Sequence, residues 1–328
     1  MEHVILMILD VCIVFEVLGD NLLTQIMKND QEFTKLNKNI KFDHENCYLT
    51  KRNQIKKCAK DILEALKFLH EKCELIHTDI KPENIAFCLS SSEKRLLIEN
   101  CQNNKNGHNL AKNKSVKKPL KSKYKLPSKT VEEEIKEMTD DLQKKFKILN
   151  KSNFGKIDKL AESESNKKNW KLVDFGTALK FDEKIEAVIT TRQYRAPEVI
   201  MGQNYDCSVD IWAVGCILFE MATGDQLFKF KSSRFKDEDH LAMIKETFGK
   251  LPARKGTNLK KCFNNKGHFR NIKKLDIWLI EDVLCEKYRF PRKEANAFGA
   301  FLRKLLEPNP ELRVTAAKAL ELPWLKQI

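Results

Sequence analysis

The sequence lacks the features that mark disulfide-rich, zinc-binding, secreted or membrane-spanning proteins. Its ten cysteines are scattered, with no C-x-x-C pair and no Cys/His cluster of zinc spacing, so we expect reduced intracellular thiols. The first apolar stretch, Val4 to Phe15, is too short to cross a bilayer and is interrupted by Asp10. It has neither a basic region before it nor a small-residue cleavage site after it, which argues against a signal peptide. We therefore expect no membrane partner.

Glycine is also scarce, and its spacing excludes a glycine-rich phosphate loop within this chain. Of the 11 glycines in 328 residues, no two have the spacing G-x-G. Such loops use several glycines because backbone N–H groups must approach the phosphate oxygens closely. This sequence therefore contains no glycine-rich loop that could cover the phosphates of a nucleotide.

The formal net charge of +14 is concentrated in one stretch, which weakens the case for a nucleic-acid surface. Residues 102–168 contain 18 lysines, no arginine and 9 acidic residues, a local excess of +9. A Lys-, Asn- and Ser-rich composition is typical of a solvated, disordered insert. We expect such an insert at residues 90–169, with one helix predicted from Val131 to Leu149, and no direct nucleic-acid partner.

The stretch that carries chemistry is a short polar loop, His77 to Asn84, between an apolar helix end and an apolar run. It places a carboxylate at Asp79, a lysine at Lys81 and a carboxamide at Asn84. Phosphoryl transfer needs these groups together: the carboxylate orients a substrate hydroxyl, the cation meets the γ-phosphate and the carboxamide oxygen binds Mg²⁺. For this stretch alone, the alternative is an ordinary helix-terminating loop.

Two further motifs follow in the order that phosphoryl transfer requires. Residues 171–176 predict a strand ending in Asp-Phe-Gly, where Asp174 brings a second carboxylate to the metal. Arg-Ala-Pro-Glu at residues 195–198 follows within the length of an activation segment. Three ordered motifs at these spacings would almost never coincide by chance, so the ordinary-loop alternative for residues 77–84 becomes negligible.

With these motifs the chain resembles a eukaryotic protein kinase, and further residues narrow the resemblance to the SR-protein kinase (SRPK) family. Thr78 stands where most kinases have Arg, and residues 14–19, 191–195 and 222–225 also resemble that family, as does the long insert. Asp-Phe-Gly and Arg-Ala-Pro-Glu follow the general kinase form instead, which leaves the dual-specificity, splicing-related and cyclin-dependent groups open.

The resemblance implies an α+β, protein-kinase-like fold, mainly the α-helical C-lobe with a remnant of the β N-lobe. It implies a serine/threonine protein kinase that uses ATP and Mg²⁺ to phosphorylate Arg/Ser-rich proteins such as splicing factors. We expect a monomer located in the cytoplasm and nucleus. The predicted parts are a small-lobe remnant with hinge at 1–19, the C-lobe at 20–89 and 170–328, and the insert at 90–169.

Site residues follow from the resemblance, position by position. Asp79 would be the catalytic carboxylate and Lys81 the γ-phosphate contact, with Thr191 fixing their geometry. The hinge residues Phe15, Glu16 and Leu18 would bind adenine, and Asn84 and Asp174 would hold Mg²⁺ and the nucleotide.

An acidic groove for Arg-rich substrates is implied at Asp239 and Glu246, with Trp278 and Lys287 nearby. Carboxylates seven residues apart share a helix face and suit successive arginines, because guanidinium binds carboxylate through two hydrogen bonds. Without the resemblance, plain solvated helix charge would be the better interpretation of Asp239 and Glu246.

Other residues are expected to support the fold. Residues 210–221 are apolar on nearly every face and predict a buried central helix ended by Gly224. The resemblance implies that Arg313 and Glu198 form a buried ion pair. A later helix is predicted from Trp278 to Cys285.

The fifteen residues before the predicted hinge are too few for the phosphate-pairing lysine, its helix glutamate and five strands. We expect ATP affinity and turnover to suffer accordingly. Two interpretations stay open: a fragment or mispredicted start of an active kinase, or a catalytically weak, kinase-derived module that docks Arg-rich peptides. The intact set Asp79, Lys81, Asn84 and Asp174 favours the first.

Overall fold

The computed structural model describes residues 3–8, 11–27, 44–96, 169–183, 188–230, 236–252 and 256–326, with backbone alone for 3–15, 44–51 and 236. The chain divides into two compact units, Met1–Val17 with Leu89–Lys168 and Leu18–Cys88 with Asn169–Ile328. Most of the predicted insert, including the helix predicted from Val131 to Leu149, lies outside the described residues.

In the first unit, two strands form an antiparallel hairpin. Strand β1 spans His3–Ile8 and strand β2 spans Val11–Glu16, with Val4 opposite Phe15 in the register. The apolar, β-branched composition of this stretch predicted one or two strands, and two are present. A short helical segment at 91–96 follows in the same unit, where Lys94 Nζ lies 3.2 Å from Glu16 Oε1.

The second unit is predominantly helical, with short paired strands around the polar loop. Its strands are β3 Leu75–Ile76, β4 Ile85–Phe87, β5 Trp170–Leu172 and β6 Leu179–Lys180. A helical segment spans 22–27. The α-helices are α1 His44–Lys72, α2 Pro197–Met201, α3 Ser208–Thr223, α4 Lys236–Phe248, α5 Leu259–Cys262, α6 Ile280–Asp282, α7 Arg292–Leu305, α8 Ala316–Leu320 and α9 Pro323–Lys326. Within the described ranges, no helix is both long enough and apolar enough to cross a membrane.

Helix α3 is the centre of the core. Trp212, Ile217 and Leu218 on it are fully buried, and α3 packs against α1 and α7. Gly215 allows the close approach on one side, because a Cβ there would lie 2.6 Å from Leu306 Cγ. Gly224 ends the helix with φ +79° and its N–H bonded to Glu220, as the sequence predicted.

Helix α1 carries the chain to the polar loop. Ile55, Ile62, Leu66 and Leu69 repeat at helical spacing and are buried against the core. Burying such side chains is worth about 1.5–3 kcal/mol each, which fixes the end of the helix and the loop that follows it.

Two antiparallel strand pairs then frame the loop. β3, which precedes the polar loop, pairs with β6, which follows Asp174. β4, which follows the loop, pairs with β5, which precedes Asp174. The loop and the Asp-Phe-Gly segment therefore lie side by side, although the insert separates them in sequence.

One predicted helix is wrong in its bounds. Instead of a helix from Trp278 to Cys285, a single α-helical turn at Ile280–Asp282 continues as a π-helix at Val283–Lys287. The backbone N–H of Trp278 donates to the carbonyl of Glu246 at 3.1 Å, and Leu279 is extended. Because Trp278 is bound to α4, the helix starts later than its apolar pattern suggested.

Candidate active site

The polar loop is held by hydrogen bonds to the first turn of the buried helix α3. Asp210 is fully buried, and its two carboxylate oxygens accept the backbone N–H groups of His77 and Thr78 at 2.8 and 3.0 Å. His70 Nε2 lies 2.9 Å from the same carboxylate. Burial alone would lower the pKa of His70, but its hydrogen bonds to Asp210 and Cys207 raise it to about 9. A buried carboxylate is stable here because every partner it needs is present.

Asp79 is held by two side chains. Lys81 Nζ lies 2.5 Å from Oδ2 of Asp79, and the Thr191 hydroxyl donates to Oδ1 at 2.7 Å. Partial burial would raise the pKa of the Asp79 carboxyl, but these hydrogen bonds outweigh it and lower the pKa from its ordinary value. The hydrogen bond to Asp79 likewise raises the pKa of Lys81. Carboxylate and ammonium are therefore both charged near neutral pH.

Asn84 and Asp174 offer oxygens suited to Mg²⁺. Asn84 donates from Nδ2 to the Asp79 carbonyl at 2.9 Å, and within the described residues its Oδ1 has no hydrogen bond. Asp174 is exposed, and the backbone N–H of Gly176 lies 3.3 Å from its Oδ1. Carboxylate and carboxamide oxygens are hard ligands that Mg²⁺ prefers, usually together with substrate phosphates and water. The two residues fit the ion in chemistry.

No cluster of three or more His, Cys, Asp or Glu in the described ranges could hold a metal ion by itself. A kinase magnesium site does not need such a cluster, because nucleotide phosphates complete the coordination.

The activation segment is anchored to the helical core near its Arg-Ala-Pro-Glu end. The Tyr194 hydroxyl donates to Glu220 on α3 at 2.7 Å, and Arg192 Nη2 lies 2.7 Å from Asp237 on α4. The predicted pair of Arg313 and Glu198 is present, with both side chains fully buried and two bonds of 2.7 and 2.9 Å. These contacts hold Thr191 beside Asp79.

The predicted hinge residues fall at the boundary of the two units. Phe15 and Glu16 end β2, and the Phe15 side chain lies outside the part of the chain that the structure describes. Leu18 begins the second unit, where the next residue, Gly19, donates to the Phe87 carbonyl at 2.7 Å. Their assignment to adenine stays a prediction.

The four predicted docking residues lie on α4 and on the segment from Trp278 to Lys287. Glu246 and Trp278 are joined through their backbones, and the Glu246 carboxylate accepts the N–H of Asp276 at 3.0 Å. The carboxylate of Asp239, seven residues before Glu246 on α4, has no hydrogen bond or ion pair within the described residues. The Trp278 indole N–H donates to the Glu286 carboxylate at 3.0 Å, and the next residue, Lys287, has Nζ 3.3 Å from Asp225.

Sequence reasoning missed the roles of Asp210 and Asp225. Asp210 was recognised only as the first residue of an apolar helix, although an acid on a fully buried helix must have partners. Asp225 accepts hydrogen bonds from Lys287 and from Tyr288, the latter at 2.9 Å. These donors lie more than sixty residues away, so no local pattern could have identified them.

Comparison with known families agrees with this geometry. The family described as "Protein kinase domain" matches residues 8–98 and 160–325. The unmatched stretch between them lies within the predicted insert. The chain belongs to the protein kinase family, and the predicted α+β kinase fold is confirmed.

The relatives are serine/threonine kinases of the SRPK kind. The chain is 34% identical to "Serine/threonine-protein kinase SRPK" of Physarum polycephalum over 330 residues, covering 97% of this chain and 67% of that protein. It is 28% identical to "SRSF protein kinase 3" of Mus musculus over 421 residues, covering 96% and 72%. A shorter match at 43% identity, to "Serine/threonine-protein kinase SKY1" of Saccharomyces cerevisiae, covers 48% of this chain and 22% of the relative.

The enzyme class predicted from the motifs, a serine/threonine protein kinase related to the SRPKs, is confirmed by this membership. The chain spans about two thirds of the length of the Physarum relative. Kinases of this family use ATP and Mg²⁺.

Proposed function

We propose that this chain transfers the γ-phosphate of ATP to serines of Arg/Ser-rich proteins such as splicing factors. The observation that carries the transfer step is the pairing of Asp79 with both Lys81 and Thr191, beside Asn84 and Asp174. This arrangement combines a carboxylate that is ionised at neutral pH with a cation and two metal-ligating side chains.

The chain's own residues would act by position and charge. Asp79 accepts the proton of the substrate serine hydroxyl; its two oxygens keep lone pairs beyond those used by Lys81 and Thr191. Lys81 faces the negative charge of the transferred phosphoryl group. Bound at Asn84 and Asp174, Mg²⁺ would neutralise phosphate charge during transfer.

The choice of an Arg-rich substrate is supported by α4 and its surroundings. In the part of the chain that the structure describes, the Asp239 carboxylate has no partner, and one carboxylate oxygen of Glu246 accepts a backbone N–H. Trp278, 42% exposed, offers an indole face on which a guanidinium could stack. Two carboxylates beside an indole ring favour arginine over lysine, because only guanidinium combines bidentate hydrogen bonding with stacking.

The competing function is a docking module that binds Arg-rich peptides with little catalysis. The two functions differ in one assay, transfer of radiolabelled phosphate from ATP to an Arg-Ser repeat peptide, run beside peptide binding by fluorescence anisotropy. Transfer that disappears in Asp79→Ala supports the kinase, and binding without transfer supports the module.

The docking residues have their own test. The double variant Asp239→Asn/Glu246→Gln should raise KM for the Arg-Ser peptide about tenfold with kcat nearly unchanged, from the loss of two charge-assisted contacts. Glu64→Gln is the matched control, because Glu64 is an exposed helical acid paired with Lys60 on α1. Equal KM values in both variants would refute the docking assignment while leaving the transfer reaction intact.

A further inference from the structure

The hydroxyl of Thr78 forms a hydrogen-bonded pair with Thr177, the residue directly after Asp-Phe-Gly. Thr78 Oγ1 donates to the Thr177 carbonyl at 2.8 Å, and the two hydroxyl oxygens are 3.1 Å apart. Since each hydroxyl has one proton and two lone pairs, the Thr177 hydroxyl can donate back to Thr78. Thr78 is 1% exposed, so its hydroxyl has no ready alternative in water.

The direction of the Thr78 side chain is set by a rigid support. Its backbone N–H is bound by the buried carboxylate of Asp210, and its φ of +69° is left-handed. A β-branched residue rarely adopts this conformation, so surrounding contacts must hold it there. The next residue is Asp79, which means that one fixed backbone carries both the Thr78 hydroxyl and the Asp79 carboxylate.

The polar loop contacts the Asp-Phe-Gly turn at both ends of the turn. At the first end, Val173 N–H donates to the Asn84 carbonyl at 3.0 Å, and His77 Nε2 lies 3.2 Å from the Val173 carbonyl. At the second end is the pair of Thr78 with Thr177. Beyond this pair, β6 is bound to β3 at Leu179 and Lys180. Removing the pair would therefore lengthen the unanchored part of the turn, from Asp174 up to β6.

Asp174 lies between these two anchors and has little support of its own. It is exposed, its φ is +65°, and among the described residues its carboxylate accepts one hydrogen bond, from Gly176 N–H at 3.3 Å. A strained residue of this kind keeps its conformation only where neighbouring contacts impose it. The position of the Asp174 carboxylate therefore depends on Val173, on Phe175, whose ring centroid lies 4.9 Å from that of His77, and on Thr177.

We propose that Thr78 is a positioning residue for the phosphoryl-transfer reaction. By anchoring Thr177, its hydroxyl fixes the Asp174 carboxylate relative to Asp79. The effect of Thr78 on phosphoryl transfer rests on the proposed kinase function. The anchoring of Thr177 is a property of the folded chain and can be measured separately.

Hydrogen exchange measured by mass spectrometry on the full chain tests the anchoring without any turnover. In Thr78→Val, which keeps size and branching but loses the hydroxyl, exchange in peptides covering 174–178 should rise about fivefold, the effect expected from one lost hydrogen bond. Thr78→Ser, which keeps the hydroxyl, should match the wild type. Equal exchange in all three proteins would overturn the proposal.

If Thr78→Val does not fold, Thr177→Ala decides the question. Thr177 is exposed, and this change removes the hydroxyl pair but leaves the carbonyl bond. We expect exchange in 174–178 to rise about twofold, less than a full hydrogen bond would give. Exchange equal to the wild type would then overturn the proposal.

Kinetics provide the second readout. Thr78→Val should raise the Mg²⁺ concentration for half-maximal rate about fivefold and lower kcat, with KM for the peptide unchanged and Thr78→Ser restoring both. A lower kcat with unchanged Mg²⁺ dependence would contradict a role through Asp174. If the wild-type chain transfers no phosphate, the proposed function fails, and the exchange comparison still decides whether Thr78 anchors the turn.

Discussion

The hydroxyl of Thr191 lies 2.7 Å from the carboxylate of Asp79, although 112 residues separate them. The bond joins the end of the activation segment to the middle of the polar loop. Lys81 occupies the other oxygen of the same carboxylate, so the orientation of Asp79 is set from both sides. A substrate serine would therefore meet a carboxylate whose direction is already fixed.

Removing the Thr191 hydroxyl should slow transfer without unfolding the protein. A hydrogen bond to a charged group contributes about 1.5–3 kcal/mol, so we expect Thr191→Val to lower kcat at least about tenfold. Thr191→Ser keeps the hydroxyl and should retain most of the rate. Single-turnover kinetics would check this, and equal rates for the valine and serine variants would contradict it.

The pair of His70 and Asp210 should make stability depend on pH. Because the pKa of His70 is raised from 6.5 to about 9 in the folded state, protonated His70 stabilises the fold. This contribution is complete below pH 6.5, declines as pH rises, and is lost above about 9. Urea unfolding at pH 6, 7.5 and 9.5 would measure it.

His70→Gln is the control for that measurement. Other groups also titrate in this range, so the informative quantity is the difference in unfolding free energy between wild type and variant. We expect the difference to shrink steadily from pH 6 to 9.5. A difference that is constant with pH would mean that His70 is not charged in the folded protein.

The ion pair of Arg313 and Glu198 should be costly to break. Both side chains are fully buried, and Arg313 also donates to the Ser208 carbonyl at 3.0 Å. Arg313→Met would leave Glu198 buried and unpaired, which costs about 3–5 kcal/mol of unfolding free energy. The exposed Lys250, paired with Glu307 at 2.8 Å, is the control, and Lys250→Met should cost less than about 1 kcal/mol. Similar losses in both variants would contradict this assignment.

Activity should not require phosphorylation of the activation segment. In most kinases an arginine beside the catalytic Asp is neutralised by a phosphorylated loop, but Thr78 has no charge to neutralise. The segment is held instead by protein contacts, including Arg195 Nη2 on the Thr190 carbonyl at 2.7 Å and Arg192 on Asp237. Phosphatase treatment should leave the phosphotransfer rate unchanged, whereas a marked loss would contradict this.

The sequence predicted those parts of the fold and candidate site that local chemistry determines. The spacing of Asp79, Lys81 and Asn84 is a property of one loop, and the apolarity of residues 210–221 requires burial. Both could be recognised without a structure. The buried pair of Arg313 with Glu198 was also predicted, but only through the family resemblance.

Contacts made by tertiary packing were not predictable in this way. Asp210 supports the loop from a helix more than a hundred residues later, and Thr78 reaches Thr177 across the insert. The start of the helix expected at Trp278 was wrong because Trp278 is bound to the backbone of Glu246. In each case the deciding partner lies far away in sequence.

Transfer of radiolabelled phosphate from ATP to an Arg-Ser repeat peptide tests the central claim most directly. The full chain, Asp79→Ala and a Lys-Ser repeat peptide would be compared over the same time course, with peptide binding followed in parallel. We expect label on serine of the Arg-Ser peptide with the wild type, less on the Lys-Ser peptide, and none above background with Asp79→Ala. Binding of the Arg-Ser peptide with equal labelling by wild type and Asp79→Ala would contradict it.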